Sequence, residues 1–335
     1  MQVQTTPAET EYVEIPETGL MVSRMALDTW AMGGWMWGGT DERESIATIH
    51  AALSQGINLI DTAPVYGFGV SEQIVGAALG GVRSQVAIAT KAGVEWREGK
   101  IYRNATRARI MQEIDASLRR LRTEYIDIYQ VHWPDPLVPM EETAEAMRML
   151  YEQGKVRAIG VSNFSVAQME SFRQVAPLHV VQSPYNLFER AIEADILPYC
   201  RANHIVTLGY GSLCRGLLSG RMRQDTKFEG DDLRRIDPKF QTLRYAQYLG
   251  AVRQLEELAQ RRFHRRVIHL AVRWMLDQGI SVALWGGRHP DQVKAALDIT
   301  RWSLKGTDRE LIERIVNAAV TDPVGPEFMA PSQRG

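Results

Sequence analysis

Two kinds of apolar segment alternate along this chain from about residue 22 to 319. That alternation limits the folds open to it more than any other feature. Short runs rich in Val, Ile and Ala recur at 24–28, 58–61, 86–91, 125–132, 158–163, 179–182, 205–210 and 282–286, giving eight strand candidates. Helix-period stretches lie between them: Ile46, Ile49 and Leu53 share one helical face, as do Ile110, Ile114, Leu118 and Leu121. Ser165-x-x-Gln168 and Thr307-x-x-Glu310 have capping-box spacing, and Gly56, Gly154 and Gly279 stand where helices should stop. Strand and helix alternating without an intervening linker predict a parallel sheet covered by helices. Eight such units predict a single α/β domain over 1–335, a (β/α)8 TIM barrel, with a doubly wound open sheet as the runner-up. A Glu17-Thr18-Gly19 turn between Val13/Ile15 and Leu20/Val22 predicts a short hairpin within an N-terminal extension of about 1–22. Two stretches break the rhythm: 220–247 reads as a large charged loop with short helices, and about 321–335 as an irregular tail, and such segments often shape pockets.

The bulk properties exclude several function classes. Lys and Arg total 39 against 40 for Asp and Glu, a net charge of −1 that argues against nucleic acid or an anionic membrane surface as partner. At 45% apolar and 24% charged the chain is ordinary for a globular protein, and no apolar run is long enough to span a bilayer. Residues 1–10 lack the basic start and apolar centre of a signal peptide. With only Cys200 and Cys214, a disulfide framework is excluded and a cytoplasmic location is expected. The basic run Arg261–Arg266 reads as an exposed, solvated corner at this net charge.

Polar residues gather where the strands end: Asp61, Lys91, His132, Ser162 with Asn163, and Gln182. Side chains alternate across a strand, so Lys91 shares the inward parity of Ala87 and Ala89. Barrel enzymes keep their active sites at the C-terminal ends of their strands. Any one of these residues could cap a loop, but six at corresponding positions favour a site. On spacing alone Lys91 could serve as a Schiff-base nucleophile. A metal site is disfavoured, because no His-Glu-x-x-His or His-x-His pattern occurs.

The stretch Asp61-x-x-x-x-Tyr66-Gly67, followed by Ser71-Glu72 opening a helix, resembles the aldo-keto reductase family. The resemblance continues through Lys91-Ala-Gly93, Gln130-Val-His-Trp-Pro134, Gly160-Val-Ser-Asn-Phe164, Gln182-Ser-Pro-Tyr-Asn186 and the segment from Gly209 to Leu218. It spans roughly 22–300 and is strongest toward short-loop bacterial members. The Gly67-Phe68-Gly69 pair lacks the third glycine of a nucleotide loop and reads as a turn into a helix.

The resemblance implies a nicotinamide-dependent reductase that takes aldehydes or ketones to alcohols, with Asp61, Tyr66, Lys91 and His132 catalytic. A phenol with pKa about 10 is a sluggish acid at neutral pH, so the ammonium of Lys91 is expected to lower the Tyr66 pKa. Asp61 would fix Lys91, and His132 would orient the carbonyl. For the cofactor it implies Trp30, with Ser162, Asn163 and Gln182 on the carboxamide and Tyr210 stacked on the ring. Gly211, Ser212, Leu213, Arg215, Gly216 and Arg221 would follow the pyrophosphate, with Arg215 and Arg221 alternatively plain loop charges. Gly286, Arg288 and Gln292 would take the adenosine end. Arg288 as a phosphate clamp favours NADPH/NADP+ over NADH, the bland alternative being a cap on its own helix. Ala296 stands where the family commonly has an adenine-contacting Asn. Asp28 stands where the family usually has glycine, and either bonds a neighbour or alters substrate preference. Trp35, Trp37 and Trp133 would line a pocket for small or moderately apolar carbonyl compounds, with Met32, Met36, Phe68 and Tyr129 as further candidates. The alternative activity is a cofactor-binding regulatory subunit with little turnover. The expected partner is a small molecule, with no metal.

Overall fold

The computed structural model describes residues 10–334; the expectation for the extreme N-terminus falls on residues outside that range apart from Thr10. Eight parallel strands close into a barrel: β3 (Met25–Asp28), β4 (Leu59–Asp61), β5 (Ala87–Ala92), β8 (Ile126–Val131), β9 (Val156–Ser162), β10 (Val180–Pro184), β11 (Val206–Tyr210) and β12 (Val282–Gly286). All eight strand candidates are present, and the open-sheet alternative is excluded by β12 pairing with β3. Helices α1 (Glu42–Ser54), α2 (Val70–Ala78), α3 (Arg107–Leu121), α4 (Met140–Glu152), α5 (Val166–Arg173) and α6 (Ile196–Ala202) each follow a strand, as do α7 (Thr242–Phe263), α8 (Val267–Asp277), α9 (Pro290–Lys294) and α10 (Gly306–Ala319) after β11 and β12. Among the described residues no helix is long and apolar enough to cross a membrane.

The chain divides its apolar residues between two layers. Small and branched side chains, among them Ala26, Leu59, Ala87, Ala89, Ala158 and Val180, fill the barrel interior, and the larger cluster lies between strands and helices. The predicted hairpin, β1 (Tyr12–Ile15) with β2 (Leu20–Ser23), closes the bottom of the barrel by adding Ile15, Leu20 and Val22 to the interior cluster. Its turn carries Glu17 and Gly19 at positive φ, the backbone a tight turn requires.

The alternation of side chains along the strands decides which residues reach the mouth. In β8, Ile128 packs in the interior and Gln130 follows it at the same parity, so His132 comes next on the inward side. Tyr129 is one step out of phase and is fully buried against the helices, so the expectation that it lines the pocket is corrected. Met32 is likewise sealed in the core.

Two further expectations change, and one element is new. The capping box at Ser165 forms as predicted, but α10 begins at Gly306. Its cap comes from Asp308, whose carboxylate accepts the Lys305 N–H at 2.8 Å and also pairs with Arg262 of α7, so Thr307 lies inside the first turn. The loop after residue 220 ends at Thr242 rather than near 247, because Tyr245 and Tyr248 give the charged start of α7 a buried aromatic face. A second hairpin, β6 (Val94–Arg97) with β7 (Lys100–Arg103), was not anticipated. Its signal was present in a Glu98-Gly99 turn with both residues at positive φ, flanked by alternating residues.

Gly67 sits where the loop after β4 presses on the loop after β3. A Cβ there would stand 2.0 Å from the Gly33 carbonyl oxygen, and its φ is +63°. Gly67→Ala is expected to cost about 2–4 kcal/mol through overpacking and left-handed strain, read as a lowered urea midpoint; an unchanged midpoint would contradict the close approach.

Candidate active site

At the C-terminal mouth of the barrel four polar side chains converge. Lys91 Nζ donates to Asp61 Oδ2 at 2.6 Å, to the Thr62 carbonyl at 3.0 Å and to the Tyr66 hydroxyl at 3.1 Å. The other Asp61 oxygen accepts from Gln182 Nε2 at 2.8 Å and Gln130 Nε2 at 3.5 Å. Tyr66 comes from the loop after β4, whose Gly67, Phe68 and Gly69 all have positive φ and turn the chain into α2. The Gly67–Gly69 segment is therefore a turn into a helix, as read from the sequence. The His132 ring faces Tyr66 edge-on, with centroids 6.0 Å apart. The Lys91 ammonium is engaged by three partners within the protein and ion-paired with Asp61, an arrangement that disfavours the Schiff-base alternative. Among the described residues no cluster of His, Cys, Asp and Glu could hold a metal ion.

Burial dominates the electrostatics. It pushes the Tyr66 phenol well above the usual tyrosine range, with the charges of Asp61 and Asp28 and the nearby Tyr210 adding to the effect. The expectation that Lys91 lowers this pKa is corrected: desolvation of the buried phenol outweighs the neighbouring ammonium, and the Asp61 charge adds to the rise. The phenol is therefore protonated at neutral pH, and because its oxygen accepts from Lys91, its own hydrogen is free. Burial and then Lys91 hold His132 well below its ordinary range, so its imidazole is neutral. Asp28 ends β3 directly beside Asp61 in the ladder. Burial, then the Asp61 charge, push it up to about 6, against the opposing effects of the Trp30 N–H bond and Lys91. One Asp28 oxygen accepts that N–H at 2.9 Å.

Two connected cavities meet at this point, sharing Asp28, Trp30, Tyr210 and Met329. The first, about 440 Å³, runs from the barrel mouth to α9. Along it lie the predicted Gly211, Ser212, Leu213, Gly216, Arg221, Gly286, Arg288 and Gln292, and also Arg234 and Arg266, which the sequence reading missed. Arg266 corrects the picture of 261–266 as a wholly solvated corner: its guanidinium donates inward to the Ser219 carbonyl at 3.0 Å. Ser162, Asn163 and Gln182 line the second cavity instead. The Tyr210 hydroxyl donates to Asn163 Oδ1 at 2.9 Å, while Asn163 Nδ2 donates to the His132 carbonyl and to Ser162.

Two arginines behave differently from one another. Arg215 borders the groove, but its guanidinium is buried between Glu189 and Asp237, so its charge is compensated within the protein and it is not a solvated loop residue. Arg288 does not cap its own helix. Its guanidinium crosses the groove to the carbonyls of Trp37 at 2.7 Å and Gly39 at 3.1 Å, while Gln292 accepts the Arg288 backbone N–H at 2.8 Å. Ala296 is buried off the groove and Ala295 lines it. An elongated groove with an aromatic ring at one end and several arginine side chains along its length fits a dinucleotide with phosphates.

The second cavity, about 370 Å³, is mostly apolar and carries Tyr66 and His132 on its wall. Trp35, Met36 and Trp133 line it as expected. Trp37 does not. It faces the groove, edge-on to Trp30 with centroids 5.3 Å apart, because Arg288 and the Arg234 guanidinium hold it there. Phe68 packs behind Trp35 at 4.8 Å and off the cavity surface. The rest of the wall comes from the unanticipated hairpin, the 220–241 loop and the tail. The tail is stitched to the hairpin by Arg103, which donates to the Pro331 and Ser332 carbonyls.

Comparison with known proteins agrees with this geometry. A model described as the aldo/keto reductase family matches residues 26–317. The chain is 60% identical to aldo-keto reductase YhdN of Bacillus subtilis, covering 97% of this chain and 99% of that one. It is 35% identical to an NADH-specific methylglyoxal reductase of Escherichia coli, covering 91% and 98%. Among solved structures, a glycerol dehydrogenase from Gluconobacter oxydans superposes with a TM-score of 0.87 at 50% identity, covering 95% and 99%. A Klebsiella pneumoniae aldo-keto reductase in complex with NADPH superposes with a TM-score of 0.72 at 25% identity, covering 98% and 100%.

The Asp28 carboxyl has a consequence for stability. Its folded pKa of about 6 lies above the ordinary aspartate value of 3.8, so the folded state binds the proton more tightly and the parent loses stability as pH rises through 4 to 6. Asp28→Asn keeps the acceptor for Trp30 without the charge. Its stability advantage is expected to grow over that pH window to roughly 1–3 kcal/mol and stay level above it. Urea unfolding at pH 4, 6 and 8 checks this, and an advantage that does not change with pH would contradict it.

Proposed function

The chain belongs to the aldo/keto reductase family, and we propose that it is an NADPH-dependent carbonyl reductase acting on small or moderately apolar aldehydes and ketones. One observation carries this reading: the Lys91 ammonium bridges Asp61 and the Tyr66 hydroxyl where an apolar cavity meets a groove lined with arginines. Bound in that groove, NADPH would supply a hydride to the carbonyl carbon. Tyr66 acts as the general acid, and its uncommitted hydrogen passes to the oxygen as negative charge develops there. Lys91, already bonded to the phenol oxygen, stabilises the phenolate left behind, and Asp61 holds Lys91 in place. Neutral His132 donates one N–H to the carbonyl oxygen and so aligns it.

For the cofactor we assign Trp30, Tyr210, Ser162, Asn163 and Gln182 to the nicotinamide end. Gly211, Ser212, Leu213, Gly216, Arg221 and a positioning Arg215 belong to the pyrophosphate, and Gly286, Arg288 and Gln292 to the adenosine end. The NADPH structure of the Klebsiella relative supports NADPH as the cofactor, and the placement of Arg288 supports a phosphate at the adenosine end, because its bonds to two neutral carbonyls can be exchanged for bonds to a phosphate. The aromatic and aliphatic wall of the second cavity, with Trp35 and Trp133 beside His132, supports apolar carbonyl substrates.

The test is consumption of NADPH and NADH, run in parallel, against small aldehydes, aryl aldehydes, sugars and ketones. Tyr66→Phe is expected to lower kcat by about 10²–10⁴ while cofactor binding stays near normal. Arg288→Ala is expected to weaken NADPH roughly tenfold to a hundredfold and NADH far less. Substantial reduction by Tyr66→Phe would remove Tyr66 as the acid, and equal losses for both cofactors would remove Arg288 as a reader of the 2′-phosphate.

A further inference from the structure

Where the two cavities join, the charges do not balance. Asp61 and Lys91 form a neutral pair at 2.6 Å, and His132 and Tyr66 are uncharged at neutral pH. Asp28 lines both cavities at that junction and has no cation of its own. One of its oxygens is bonded to the Trp30 N–H; no partner within the protein engages the other among the described residues. The groove arginines Arg221, Arg234, Arg266 and Arg288 line the other cavity, Arg234 being paired with Asp232, and the catalytic cavity has Lys100 of the β6–β7 hairpin on its wall. Of the four residues that the two cavities share, Asp28, Trp30, Tyr210 and Met329, Asp28 is the one that carries a charge.

We propose that Asp28 tunes the nicotinamide toward hydride donation, by holding the oxidised ring more tightly than the reduced one. This rests on the cofactor reading above. For a hydride to reach a carbonyl held by Tyr66 and His132, the ring must lie at the junction of the two cavities, which is where Asp28 is. Hydride transfer to the carbonyl carbon reduces the substrate and oxidises the neutral dihydropyridine, which loses two electrons and one hydrogen nucleus and is left with one positive charge. The alkoxide takes its proton from Tyr66, so Asp28 neither gains nor loses one. A half-buried carboxylate at the junction attracts the charged ring and is indifferent to the neutral one. Only a difference in affinity between the two forms shifts their balance, and this difference favours the oxidised product state. Asp28 is thus a positioned charge rather than a proton carrier.

The test measures dissociation constants for NADPH and NADP+ by calorimetry at pH 8, where Asp28, with its pKa of about 6, is ionised. The parent is compared with Asp28→Asn, Asp28→Gly and Asp28→Glu. Both neutral variants are expected to weaken NADP+ relative to NADPH by about fivefold or more, and Asp28→Glu to keep most of the parent's discrimination. A fivefold change corresponds to a rise of about 20 mV in the potential of the bound two-electron couple. If both neutral variants bind both forms with the parent's ratio, the proposal is wrong. Equal weakening of the two forms would make Asp28 a merely structural residue and overturn it too. Failure of the parent to bind either form would overturn the cofactor reading itself.

Discussion

The buried Lys91–Asp61 pair is the constraint around which the rest of the mouth is arranged. Lys91 is 0% exposed and Asp61 1%, so neither charge has water to solvate it. Taking two such ions out of water costs several kcal/mol each, offset only by good geometry and full hydrogen bonding. The structure meets that demand with the Thr62 carbonyl and the Tyr66 hydroxyl on Lys91 and two glutamine amides on Asp61. Inward-facing alanines on β5 leave the lysine room to extend up the barrel axis. Desolvation, with the Asp61 charge adding to it, then sets the state of Tyr66, and the result is a protonated phenol bonded to a cation. That state suits a group that gives up a proton only when charge appears on the oxygen in front of it.

The same logic distinguishes the arginines of the groove. Arg215 is consumed by Glu189 and Asp237 and stiffens the turn after β11. Arg288 is held by neutral carbonyls, and a phosphate would outcompete those acceptors. It ties the loop bearing Trp37 to the base of α9, so the groove and that loop share one anchor. The apolar cavity is walled by elements distant in sequence, with the β6–β7 hairpin and the tail joined through Arg103. Substrate preference is therefore a joint property of several loops.

The barrel was legible because its signals are local and periodic. Eight apolar runs, the helix faces and most caps depend only on neighbours in sequence; their places at the strand ends put Lys91, His132 and Gln182 at the mouth, and parity turned Lys91 inward. Parity also carried the means to reject Tyr129, one step out of phase with Gln130. What sequence did not show arises from distant partners. Nothing near Arg215 in the chain announces Glu189, twenty-six residues away. The side to which Trp37 turns depends on Arg288 and Arg234. The direction of the Tyr66 shift was misjudged because the ammonium of Lys91 was weighed without the cost of burying a phenolate, to which the Asp61 charge adds. Asp28 was visible as a departure, yet its isolation is a fact about the charges around it.

The central claim is that Tyr66 and Lys91 act as one unit. The most direct measurement is the single-turnover rate of carbonyl reduction for Tyr66→Phe, Lys91→Met and the double variant, each saturated with NADPH. Groups that act as a unit lose their contribution once, so the double variant should be no slower than the slower single variant, within about threefold. Losses that multiply would mean that lysine and tyrosine contribute independently, and would contradict the account.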